Sequence, residues 1–286
     1  MDAARQASLT RLLLDVDAEL GIGIADSEIA RARAGCRVTI VRVRPGRWEL
    51  HEDRAHGNGV VGYLIVSGLL SREAVLRENH VLELLGQGDI VQPPAEIEWP
   101  RLSSNTAVTA IETTFAGVLD ASFIQTAARW PSLIGNLGRR LEQQRERLAI
   151  QGLIAHQPQA EHRLLLQLWH LGTHWGRVTP EGITVPFHLT HDMLGLLIGA
   201  RRSTVTLAAR HLDEQGYIRR ALGGTWLLAP ESEPAVSALI DGGSGRIVGE
   251  ALMTRHRSLE IKAESQALQA EARRIRGAQP SRSGHR

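Results

Sequence analysis

The sequence predicts an α+β chain in three parts: a strand-rich first half, one long helix, and a C-terminal unit of helix, strand, helix, helix and hairpin. Three observations carry that expectation. Short apolar runs separated by glycine turns fill residues 36–123. A helical periodicity runs through 124–157 and is interrupted only at Trp130-Pro131. Residues 189–218, LTHDMLGLLIGARRSTVTLAARHLDEQGYI, form two short helical patterns hinged at a glycine. Ahead of these, Leu9, Leu12, Leu13, Val16 and Leu20 share one side of a helical pattern, so residues 8–34 are expected to be helical.

The hinged pair is the most informative stretch. Its first helix runs from Thr190, a hydroxyl able to cap free N–H groups, through Met193, Leu194, Leu197 and Ile198. Gly199 ends it, because the hinge needs a backbone conformation that is costly for a residue with a Cβ. The second helix, Ser203 to Gln215, buries Val205, Ala208, Ala209 and Leu212, while Gly195 faces inward where the helices cross. Arg201, Arg202, Ser203, Thr206 and Arg210 are left on the outer face. A short helix presenting arginines and hydroxyls from its N-terminal end suits a DNA major groove, where arginine forks onto guanine O6 and N7. The bland alternative is an αα-hairpin with a solvated arginine face. The flanks argue against it. Residues 161–171 are a further amphipathic helix, 183–189 are strand-like, and 216–228 are two strand-like runs meeting at Gly223-Gly224. That order is a winged helix, with Arg219 and Arg220 placed beside the wing's turn.

On Thr190, Gly195, Gly199, Arg202, Thr204, Val205 and Leu212 the chain resembles the Crp/Fnr transcription regulators. The resemblance extends to a β-roll sensor over residues 36–123. Its best matches are Pro45-Gly46, the run 60–70 containing Ser67-Gly68, the stretch 85–90 (LGQGDI), and Val118-Leu119-Asp120 before Phe123. It implies a cyclic-nucleotide-binding-like β-roll domain over 1–128, a dimerisation helix over 129–157 and a winged helix-turn-helix over 158–232. A partly helical extension with a basic end follows over 233–286. It also implies a dimer on a two-fold DNA site, with RNA polymerase as a further partner and a small-molecule effector of unknown identity. The DNA-facing set is Thr190, His191, Arg201, Arg202, Ser203, Thr204, Thr206, Leu207, Arg210, Arg219 and Arg220. Here the chain departs from the best-known pattern. Ser203 stands where an acid accepts from cytosine, and Leu207 stands where a second arginine enters the groove. Arg201 replaces a small polar residue. The half-site should therefore differ from the usual TGTGA-like element.

The long helix carries Ile134, Leu137, Leu141, Gln144, Leu148 and Gln151 at alternating spacings of three and four, a coiled-coil seam with two polar seats. The first five are the expected dimer interface. A helix lying on its own β-roll would show one apolar stripe as well.

In the expected sensor, cyclic-nucleotide binders use a glutamate and an Arg-Ser pair to hold ribose and phosphate. After Gly88-Asp89 this chain reads IVQPPAEIEWPRLSSN. Pro93 falls where the glutamate would be, and two prolines remove backbone donors. Glu96 and Glu98 would repel a phosphate, and Arg101 with Ser103 has the wrong spacing. The pocket is expected not to bind cAMP in the usual way.

Composition bounds the rest. At 286 residues the chain can hold two cores, and its formal net charge is only +2. Residues 272–286 hold five arginines and no acid, a basic tail. The single cysteine, Cys36, excludes an internal disulfide and a thiolate-held iron–sulfur cluster within one chain. No signal peptide or membrane span is apparent, so a cytoplasmic protein is expected. His170 and His174 lie four apart, near His162, His188 and His191, but without a Glu-x-x-His motif or a cysteine pair; no metal or cofactor is expected. Trp48, Trp99, Trp169 and Trp226 read as core anchors. No catalytic constellation is present, so no enzyme is expected. The competing function is a ligand-binding or scaffold protein whose winged helix contacts protein rather than DNA.

Overall fold

A computed structural model describes residues 9–50, 59–77, 79–93 and 105–241. Residues 242–286, with the expected basic tail, and Trp99, Glu96, Glu98, Arg101 and Ser103 lie outside the described residues. The chain divides into two compact units, residues 1–152 with 195–200 and residues 153–194 with 201–286.

In the first unit, strand alternation decides which face is buried. A five-stranded sheet has the order β1 (Leu9–Leu12), β2 (Arg37–Val43), β9 (Thr114–Asp120), β4 (Val60–Ser67), β7 (Ile90–Val91). A four-stranded sheet has the order β3 (Gly46–Trp48), β8 (Asn105–Ala110), β5 (Leu70–Leu76), β6 (Asn79–Leu85). All pairings are antiparallel. Along β4, Tyr63 and Ile65 enter a core with Val43, Leu70, Leu85, Val108, Ala116 and Val118, drawn from both sheets. Leu64, one residue out of phase, joins a second core on the other face. Trp48 closes the first core edge-on to Tyr63, with ring centroids 4.9 Å apart. This is the expected β-roll.

The first residues correct the sequence reading. Residues 9–12 are not helical: β1 pairs with β2 from Leu9↔Ile40 to Leu12↔Arg37. The helix begins only at α1 (Leu13–Val16), and α2 (Asp26–Gly35) follows a 3-10 turn. Sheet pairing overrides the spacing of the leucines, and Leu9 is left exposed at the sheet edge. Leu13, Leu14, Leu20 and Ala32 fill the second core together with Cys36, whose thiol is pushed up in pKa by burial.

Asp120 accepts from the Phe123 N–H at 2.8 Å and caps α3 (Ala121–Ala127). Trp130-Pro131 then breaks the helix, and α4 (Pro131–Ala155) runs for 25 residues. Here the predicted seam needs correcting. Leu137 is buried in the second core, against which Ile134 and Leu141 also pack. Gln144 is buried and clips onto β7, accepting from the Ile90 N–H at 2.9 Å and donating to the Ile90 carbonyl at 3.1 Å. Gln151 donates to the Leu82 carbonyl at 2.6 Å. The polar seats are thus filled by the chain's own backbone. Leu148 remains exposed.

Two arginines that look solvated in sequence are structural as well. Arg147 pairs with Asp89 at 2.6 Å, both nearly inaccessible. Asp89 also accepts from the Gly86 N–H at 2.9 Å and so closes the glycine turn before β7. Burial pushes the Asp89 carboxyl up in pKa, against the pull of Arg147 and of the Gly86 N–H. Arg140 reaches Asp17 and Glu19 at 2.8 Å each.

In the second unit, α5 (Ala160–Trp175) buries Leu164, Leu165, Leu168 and Trp169. Strands β10 (Arg177–Thr179), β11 (Gly182–Val185), β12 (Ile218–Arg220) and β13 (Trp226–Leu228) form a sheet in the order β10-β11-β13-β12. Helix α8 (Ser232–Asp241) packs on α5, where Trp169 Nε1 donates to the Ser232 hydroxyl at 2.9 Å. Among the described residues, no helix is long and apolar enough to cross a membrane.

Candidate nucleic-acid interface

The hinged pair forms as the sequence predicts. Thr190 Oγ1 accepts from the Met193 N–H at 3.2 Å and caps α6 (His191–Ile198). Gly199 takes φ +62°, the left-handed conformation that turns the chain toward α7 (Arg202–Glu214). Val205, Ala208, Ala209 and Leu212 are the buried residues of α7, which packs on α5. His211 Nδ1 lies 2.7 Å from Glu161 and ties the two helices together.

The opposite face of α7 is open. Arg201, Arg202, Ser203, Thr204, Thr206, Leu207 and Arg210 are all exposed. Arg201 occupies the N-cap position without a side-chain cap, so the first N–H groups of α7 and the positive end of its dipole have no side-chain acceptor. Arg202 sits 3.8 Å from Asp192 with both side chains largely exposed, a weak pairing that a phosphate or base can displace. Arg210 is held by Glu214 at 2.8 Å along the helix. Leu207 is 55% exposed in the middle of this face.

The wing adds to the same surface. β12 and β13 pair from Ile218↔Leu228 to Arg220↔Trp226, across a 3-10 turn containing Gly223 and Gly224. A Cβ on Gly224 would stand 2.4 Å from the His188 ring, so this glycine is required by close approach. Arg219 and Arg220 are exposed, and the Arg220 guanidinium lies 5.8 Å from the Trp226 ring centroid.

His191 gathers these parts. Its Nδ1 is 2.8 Å from Thr206 Oγ1, and its ring centroid is 5.9 Å from that of Trp226. Partial burial, then the charges of Arg220 and Arg202, lower its pKa against the opposing pull of Asp192. The structure thus brings Arg202, Thr206 and Arg220 together around His191, with Trp226 beside His191 and Arg220. Arg201, Ser203, Thr204, Leu207 and Arg210 are spread along α7, and Arg219 lies on the wing. Trp226 was expected only as a core anchor, and it is buried. Its second role, as a floor beneath Arg220, becomes visible in the sequence only once Arg220↔Trp226 are known to pair. Asp192 was missed; its place beside the capping Thr190 was the one signal for it.

The β-roll carries an open pocket of about 560 Å³ lined in part by Trp48, Arg72, Glu83, Pro93, Thr106 and Leu148. Pro93 stands on its wall, as expected. Arg72, a cation the sequence reading overlooked, is committed to Glu83 at 2.7 Å. Among the described residues no group of three or more His, Cys, Asp or Glu side chains is placed to hold a metal ion.

Two kinds of similarity bear on this arrangement. Residues 162–232 match the model of the Crp-like helix-turn-helix domain. The fold is similar to that of CooA from Carboxydothermus hydrogenoformans in a mutant form, with TM-score 0.51, 19% identity, 66% of this chain and 82% of that one covered. It is also similar to FixK2 from Bradyrhizobium japonicum, with TM-score 0.51, 17% identity and coverages of 67% and 92%. A cyclic nucleotide-binding domain containing protein from Listeria monocytogenes EGD-e gives TM-score 0.56 at 14% identity, with coverages of 74% and 96%. No curated protein matches the chain. A β-roll followed by a long helix and a winged helix-turn-helix defines the class. The match over residues 162–232 agrees with the resemblance to Crp/Fnr regulators in that part of the chain.

Proposed function

We propose that this chain is a cytoplasmic transcription regulator that binds a two-fold DNA site as a homodimer, with α7 in the major groove and the wing on the backbone. The observation that carries this reading is the exposed face of α7: three arginines and three hydroxyls surround an uncapped helix N-terminus, with Arg219 and Arg220 beside them. Arg202 is the guanine reader, Leu207 offers apolar contact to a thymine methyl, and Thr190, His191, Thr204, Arg219 and Arg220 serve phosphates. RNA polymerase is the expected protein partner.

The proposed architecture is a sensor over 1–128, a dimer helix over 129–157, a DNA-binding domain over 158–232 and an extension beyond. The dimer face is the side of α4 that its own β-roll leaves open or covers only in part. It keeps Ile134, Leu141 and Leu148 of the sequence-derived seam, and replaces the occupied Leu137, Gln144 and Gln151 by Gly138, Arg145 and Gly152. Those three residues are exposed, and a Cβ built on either glycine would meet no atom within 4 Å. Small residues at such positions let two helices approach closely.

The β-roll pocket is the natural seat for an effector other than a cyclic nucleotide, because its Arg72 is already paired and Pro93 cannot donate a hydrogen bond. Affinity for DNA, measured from low to high salt, tests the DNA reading. Binding through phosphates should weaken by orders of magnitude as counterion release becomes unfavourable. A salt-insensitive interaction would favour a protein-binding winged helix.

A further inference from the structure

His191 shares a hydrogen bond with Thr206, and the direction of that bond decides where the ring carries its proton. The Thr206 hydroxyl donates to the Arg202 carbonyl at 2.9 Å, which uses its only hydrogen. Thr206 Oγ1 can then meet His191 Nδ1, at 2.8 Å, only by accepting. Nδ1 therefore carries the N–H, and in the neutral ring Nε2 is a bare lone pair. A phosphate oxygen is also only an acceptor, so neutral His191 cannot bond to DNA backbone through Nε2. A second proton converts that nitrogen into a donor and the ring into a cation.

We propose that His191 is a proton-linked phosphate contact: each protomer takes up a proton at Nε2 as DNA binds. This rests on the DNA-binding reading above.

The surroundings set the direction. Arg202 on α7 and Arg220 on β12 disfavour the charged ring, Asp192 on α6 favours it, and Trp226 on β13 screens one side. In the free protein partial burial, and after it the charges of Arg220 and Arg202, prevail and lower the pKa of the ring. A phosphate arriving among His191, Arg202 and Arg220 neutralises that repulsion and adds an attractive charge. The pKa in the complex therefore lies above that of the free protein. A group whose pKa rises on binding strengthens binding as pH falls through the interval between the two values. The pairing of a histidine at the start of α6 with a threonine one turn into α7 is what makes the contact conditional on a proton.

The test measures operator affinity at constant ionic strength from pH 8 to pH 6 for the wild type, His191→Arg and His191→Asn. Wild-type affinity should rise toward the low end, approaching about ten-fold per pH unit for each protomer that takes up a full proton. His191→Arg, permanently charged, should bind at pH 8 about as tightly as the wild type at pH 6, with a flat profile. His191→Asn can keep a donor toward Thr206 and should be weak and flat. Calorimetry in buffers of different ionisation heat counts the protons directly. A flat wild-type profile, or a His191→Arg protein that keeps the wild-type pH dependence, overturns the proposal. A wild type that binds no DNA sequence at any pH overturns the DNA reading, and this inference with it.

Discussion

Helices α4 and α7 are both amphipathic and both rich in arginine, and they use the residue in opposite ways. On α4, Arg147 is buried against Asp89 and Arg140 is tied to Asp17 and Glu19, so the arginines fasten the helix to its own β-roll. On α7, Arg201 and Arg202 stand in solvent with at most a distant carboxylate for company. The difference lies in the partner elements. The closed turn before β7 delivers Asp89 to α4, while nothing in the described winged helix covers the outer side of α7. An arginine-rich helix face is therefore a docking surface only when the rest of the fold buries no acid against it.

The largest expected effect breaks the first half of that contrast. Arg147→Ala leaves Asp89 buried without its cation, and should destabilise the first unit by about 3–5 kcal/mol in urea denaturation. A loss under about 1 kcal/mol would mean that Arg147 is as dispensable as a surface residue.

The second effect acts on α7. Arg202→Ala should leave stability unchanged and cost about 1–3 kcal/mol of affinity on a specific site, with less loss on random DNA. Arg219→Ala should weaken specific and random DNA alike, and lower the slope of affinity against salt by about one unit. Equal losses for Arg202→Ala on both kinds of DNA would demote it from base reader to phosphate contact.

The smallest expected effect is none at all. Millimolar cAMP or cGMP should leave the melting temperature where it was. A ligand bound in the micromolar range would raise it by mass action, so saturable stabilisation would contradict the account of the pocket around Arg72 and Pro93.

The same contrast explains what was legible in the sequence. The winged helix was readable because its signals are local: the capping Thr190, the hinge Gly199, the spacing of Val205, Ala208 and Leu212, and the Gly223-Gly224 turn each act within a few residues. The β-roll was readable from alternation and turns. The seam on α4 was not, because Ile134, Leu137, Leu141 and Gln144 have the same spacing whether they meet a partner helix or the chain's own strands. Only the fold places Ile90 and Leu82 opposite Gln144 and Gln151. β1 failed for a related reason: leucines at 9 and 12 fit a helix, and the free edge of β2 captured them as a strand. In the site, His191 was visible as a contact, but its bond to Thr206 joins two helices across a turn and leaves no trace in spacing.

The central claim is that the exposed face of α7 reads DNA from a dimer. Selection of bound fragments from random DNA by the full-length protein tests it most directly. Enriched inverted half-sites about one helical turn apart are expected, differing from TGTGA where Ser203 and Leu207 replace an acid and an arginine. No enrichment would contradict the DNA reading, single non-palindromic sites would contradict the dimer, and recovery of TGTGA unchanged would contradict the assignment of Ser203 and Leu207 to the bases.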